Sequence, residues 1–175
     1  MLDDGLRKTF RWTLYTDGAI IIVLGVLGAL GRMFSAISPP TVMGVGLLAE
    51  SLNYFVPYMA LKNSKFRPVW LAAFGVIDVV FAALFLLRVG LLLFSLPVLI
   101  GLWMIFAACL RAYMAYSNRR AGISKWWITA VSCAYMIFAS AAMMAGAAQP
   151  MSLLSWNALV MTGVFIINEG RKLFG

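Results

Sequence analysis

The chain contains no histidine and only two cysteines. The first absence removes the commonest general base and the most frequent metal ligand. Cys109 and Cys133 stand singly inside apolar stretches, without the spacing of a zinc site or a redox motif, and read as small packing residues. Charge is scarce as well. Charged residues make up 11% of the chain, where a soluble domain carries about a quarter. Hydrophobic residues make up 63% of the 175 positions, more apolar surface than a soluble fold of this size can hide, so the bilayer is the expected solvent. Without a nucleophile–base constellation or a metal-ligand cluster, no enzymatic activity, metal or cofactor is expected.

A helix needs about 20 apolar residues to cross the hydrocarbon layer. Six segments come near this: Trp12–Gly31, Pro40–Leu61, Val69–Leu87, Gly90–Leu110, Trp127–Ala148 and Met151–Asn168. The first follows a basic stretch, "MLDDGLRKTFRW", as in a secretory signal. Its apolar run continues to about Phe34, and "SAISPP" sets proline where cleavage would fall, so an uncleaved first helix is expected.

The net charge of +8 could suggest nucleic acid, but its placement indicates membrane topology. Arg7, Lys8, Arg11, Lys62, Lys65, Arg67, Arg111, Arg119, Arg120, Lys125, Arg171 and Lys172 fall on one side of the six crossings, and only Arg32 and Arg88 on the other. The positive-inside rule then puts both termini in the cytoplasm. The outer connections are short, so the expected fold is all-α: a single transmembrane domain over residues 1–175, its six transmembrane helices arranged as three tandem helical hairpins.

The hairpins read as copies. A shift of 57 residues carries Leu14 to Leu71, Gly18 to Gly75, Val23 to Val80, Leu27 to Leu84, Pro40 to Pro97 and Gly44 to Gly101. The same shift carries Trp70 to Trp127, Phe81 to Phe138 and Leu96 to Leu153. This suggests internal repeats at 12–68, 69–125 and 126–175. An odd number of units fits a two-half inverted transporter poorly.

These residues give the chain its likeness to a family. Trp12, Gly18, Gly25 and Pro39-Pro40 mark the first unit, Trp70, Gly75 and "LIGLW" (Leu99–Trp103) the second, and Trp126-Trp127, Pro150 and Gly163 the third. In this pattern the chain resembles the HdeD-like acid-resistance membrane proteins over nearly its whole length. It departs at the second outer turn, which has Arg88-Val89-Gly90 and no proline, and at Ser132, where glycine is expected. The resemblance implies a small bacterial inner-membrane protein linked to acid stress. It brings no catalytic residues with it.

The polar residues inside the expected helices carry the remaining argument. A charge at mid-membrane costs about 2.5–3.5 kcal/mol on insertion scales, so it calls for a partner or a purpose. Glu50 lies ten residues after Pro40, and Asp78 nine after Val69. At about 1.5 Å per residue, both sit roughly 14–15 Å deep on antiparallel helices. They are expected to reach the same depth, where no cation begins, and they cannot both be ionised cheaply. They form a candidate proton site, with Asn53 beside Glu50. Met43, Gly46, Glu50, Asn53 and Pro57 are spaced 3, 4, 3 and 4 apart, which puts them on one inward face. The same stripe reads equally as a polar seam that fixes helix packing. Asp17 and Arg111 lie near the inner side and suggest a structural ion pair.

The expected function is therefore a non-enzymatic integral membrane protein of the acid-stress type. The alternative is a proton-linked transporter or channel subunit using Glu50 and Asp78. The expected partner is the lipid bilayer, with room for a second copy or another membrane protein, and no nucleic acid.

Overall fold

The structure is a computed structural model that describes residues 4–33, 38–61, 69–120, 122, 124–146 and 152–174. Lys62, Lys65, Arg67, Ala148, Pro150 and Met151 lie outside the described residues. Seven helices and no strand occur among the described residues: α1 (Asp4–Met33), α2 (Pro39–Leu61), α3 (Val69–Leu86), α4 (Val89–Leu93), α5 (Leu96–Arg120), α6 (Trp127–Ala145) and α7 (Leu153–Phe174).

Five of these, α1, α3, α5, α6 and α7, are long and apolar enough to cross a membrane. Their number and length mark a multi-pass membrane protein. The remaining long helix, α2, has 23 residues but no uninterrupted apolar stretch of spanning length, because Glu50, Ser51, Asn53, Tyr54 and Pro57 interrupt it. Its faces explain this. Val45, Leu48, Leu52, Val56 and Met59 are exposed on one side, while Glu50, Ser51, Tyr54 and Pro57 are buried on the other. This inverts the amphipathicity of a helix on a soluble protein and suits an apolar solvent. The inversion runs through the molecule. Asp17, Asp78, Arg111, Thr129, Ser132, Ser140, Thr162 and Glu169 are buried, while Val23, Val80, Phe106, Ile137, Phe138 and Val164 are exposed.

The fourth expected segment, Gly90–Leu110, needs two corrections. It is broken: α4 ends at Leu93, Phe94 is extended (φ −134°, ψ 147°), and α5 starts at Leu96. Pro97 is the cause. In an unbroken helix its ring would clash with the Leu93 carbonyl and it could not donate a hydrogen bond, whereas the first turn of a new helix accepts it. The connection before α4 turns through Arg88, which adopts a left-handed conformation (φ 57°). The second correction is length. The helix runs on to Arg120, so Arg111 lies well inside α5 and does not end it. The last segment is also displaced: α7 covers Leu153–Phe174 and takes in Glu169, beyond the expected end at Asn168.

Six helices close into a ring in the order α1, α2, α3, α5, α6, α7, with α7 returning to α1. The closest packing is not within the expected hairpins. It joins α2 to α3, α5 to α6 and α7 to α1, while the hairpin partners α1/α2, α3/α5 and α6/α7 touch more sparingly. The backbones of α1 and α7 meet directly where two glycines cross. A Cβ added to Gly18 would stand 2.5 Å from the Gly163 carbonyl oxygen, so only glycine lets these backbones meet.

Candidate functional site

Arg111 sits at the centre of the ring. Helical side chains tilt toward the helix N-terminus, so from within α5 the guanidinium reaches back toward the middle of the bundle. It is 2% exposed. Its Nη2 donates to Asp17 Oδ2 of α1 at 2.5 Å, and its Nη1 donates to Glu169 Oε2 of α7 at 3.2 Å. Tyr54 of α2 donates its hydroxyl to the same Asp17 oxygen at 2.7 Å, and Thr129 of α6 donates to Glu169 Oε1 at 2.7 Å. The guanidinium carbon stands 5.7 Å from the centre of the Phe74 ring on α3, which itself stacks on Tyr54 at 4.9 Å. The five other ring helices thus each supply a residue around this cation of α5.

The other two buried carboxylates lie against this cluster. Glu50 and Asp78 are 1% and 2% exposed. They line a cavity of about 10 Å³ together with Asp17, Tyr54, Trp103 and Arg111, which is the scale of a single water. Trp103 Nε1 donates to Asp78 Oδ1 at 2.9 Å. Asp78 Oδ2 and Glu50 Oε1 have no hydrogen-bond partner among the described residues. Glu50 and Asp78 share this cavity, and no hydrogen bond joins them among the described residues. The expectation that no cation begins at their depth is corrected, because Arg111 lines the same cavity. Misplacing the end of α5 hid this. Asn53 bonds elsewhere, donating from Nδ2 to the Thr13 carbonyl of α1 at 3.0 Å.

Glu169, Tyr54, Thr129 and Trp103 were not among the sequence candidates. Glu169 had a readable signal. Ile166, Glu169 and Leu173 continue at spacings of 3 and 4 the buried stripe that starts at Trp156. Arg171 and Lys172 just beyond made it look interfacial. Chemically, the arrangement can hold one buried positive charge between two carboxylates and offer two spare carboxylate oxygens to a proton or a water. No group of three or more acidic or thiol side chains is placed to hold a metal ion among the described residues.

The family model described as a short repeat of unknown function (DUF308) matches the chain twice, over residues 16–87 and 73–144. The chain belongs to this family. It is the family of HdeD-like membrane proteins. No curated protein and no solved structure matches the chain. The two matched stretches are offset by 57 residues, the same shift that relates Gly18 to Gly75. Both cross three long helices of the ring, the first α1–α3 and the second α3, α5 and α6. The repeat carries packing residues rather than the site. At the 57-residue shift, Asp17 corresponds to Phe74, Glu50 to Ala107, Asp78 to Tyr135, and Arg111 to Tyr54 and Asn168. The charged cluster is therefore a single-copy feature set into a repeated frame.

Proposed function

We propose that this HdeD-like protein is a non-enzymatic integral protein of the bacterial inner membrane that contributes to survival of acid stress. In this reading α2 is the sixth crossing and both termini are cytoplasmic. The observation that carries the proposal is the repeat-family match over residues 16–144. The exposed apolar stripe of α2 supports its membrane placement, and the cluster of basic residues on one side supports the orientation. The protein acts through its structure, through a partner in the bilayer or through the bilayer itself. The polar interior supports this mode, because the cavity beside Glu50 and Asp78 is the size of a single water. Survival of an acid challenge by a strain lacking the gene tests the proposal. Loss of survival, restored by the wild-type gene and by the Glu50→Gln gene, is expected. Unchanged survival without the gene overturns it.

A second reading is supported by the two unpartnered oxygens, Glu50 Oε1 and Asp78 Oδ2, on one cavity. Here the protein moves protons, with these carboxylates as the relay. Reconstituted vesicles with an enclosed pH dye and an imposed gradient separate the readings. Proton flux in wild type that disappears in Glu50→Gln establishes the relay. No flux above empty vesicles leaves the first reading.

A further inference from the structure

At the end of the ring where α6 stops and α7 begins, a cleft of about 310 Å³ runs between these two helices and the start of α5. It is separate from the charged cluster and shares no residue with the cavity there. Its floor is Tyr135, whose hydroxyl donates to the Ala158 carbonyl at 3.4 Å. Its walls include Phe138, Ala142 and Met143. Phe138 and Leu154 on its rim are 73% and 78% exposed, so the cleft opens onto the apolar outer surface of the helices. From Gly146 to Tyr135 is about 16 Å along α6, and from Ser152 to Ala158 about 9 Å along α7, so the cleft reaches toward the middle of a hydrocarbon layer about 30 Å thick.

The cause lies in how α7 is held. Its glycine face, centred on Gly163, is drawn against α1, and its contact with α6 is correspondingly loose. Inside a bilayer such a space is not left empty, because its lining would forfeit its dispersion contacts. The mouth determines what enters. No Lys, Arg, Asp or Glu lines the cleft among the described residues. The polar groups there are neutral: Ser152 and Ser155, whose hydroxyls lie 3.1 Å apart, and Asn157. They offer hydrogen bonds to an ester, hydroxyl or carbonyl group and no counter-charge to a phosphate.

We propose that this cleft is a binding site for a single hydrocarbon chain of an uncharged membrane lipid, with the lipid's polar group held at Ser152, Ser155 and Asn157. The purified full chain in detergent, labelled with a long-chain monoacylglycerol carrying a diazirine in its chain, tests this by mapping the adducts. Adducts concentrated between Tyr135 and Ala158 are expected. Ala142→Trp, which fills the cleft from an exposed position, should reduce them about tenfold. Val80→Trp, on the exposed face of α3, should leave them unchanged. The paired variant Ser155→Ala with Asn157→Leu leaves the walls intact and should also weaken labelling, which keeps the test decisive should Ala142→Trp fold poorly. Adducts spread evenly over the exposed faces of all helices, or undiminished in both variants, overturn the site. A lysophosphatidic acid probe that labels the cleft as strongly as the neutral one overturns the uncharged headgroup.

Discussion

Each half of the buried polar interior holds one Asp and one Glu, and the two pairs of carboxylates end in different states. Around Arg111, both terminal guanidinium nitrogens are engaged, Nε alone of the three lacking a partner among the described residues, and Glu169 has a partner on each oxygen. Around the adjoining cavity, Asp78 has one oxygen held by Trp103 and one without a partner, and Glu50 Oε1 has none. One half is an interlocked set whose members depend on one another. The other keeps two carboxylate oxygens without a partner among the described residues. In a low-dielectric interior this difference decides what a substitution does, because removing one member of a paired set strands the charges that remain.

The largest effect should come from Arg111→Met, which leaves Asp17 and Glu169 buried without their cation. A loss of about 3–5 kcal/mol is expected, read by thermal or denaturant unfolding in detergent. Adding Asp17→Asn and Glu169→Gln should restore much of it, which distinguishes stranded charge from lost packing. Trp103→Phe comes next. It leaves Asp78 with no partner on either oxygen and should cost about 1–3 kcal/mol. Tyr54→Phe removes one of the two donors to Asp17 Oδ2 and should cost about 0.5–1.5 kcal/mol. The smallest effect belongs to Glu50→Gln, which should change stability by less than about 1 kcal/mol because Oε1 has no bond to lose. If Glu50→Gln destabilises as strongly as Arg111→Met, the two halves are not different in kind.

The common level of Glu50 and Asp78 and the inward face of α2 were legible in the sequence because each follows from helix geometry alone. A rise of about 1.5 Å per residue sets Glu50 and Asp78 level with each other on antiparallel helices, and the 3–4 spacing from Met43 to Pro57 defines one face of α2; Asp17, expected nearer the inner side, lines the same cavity as both. Lateral order was not legible. Helices bathed in lipid all present similar apolar surfaces, so nothing in α1 announces that its tightest neighbour is α7. The reach of Arg111 was hidden by a boundary error, since the polar run from Arg119 to Lys125 was read together with Arg111 as one loop. The break before Pro97 followed from proline chemistry, but the apolar run across "LLLFSLP" covered it. Glu169 was lost because a basic pair two residues later imitates a membrane boundary.

Closure of the ring through α1 and α7 also sets an order in time. Asp17 enters the bilayer 94 residues ahead of Arg111, an interval of roughly 5–20 s at typical rates of chain synthesis. Arg111 then precedes Glu169 by a further 58 residues. During insertion the first helix therefore carries a carboxylate without its cation, and a glycine face without the helix that will cover it. Truncation before α7 leaves α1 with only its α2 neighbour in the ring, its glycine face uncovered, and Arg111 without Glu169.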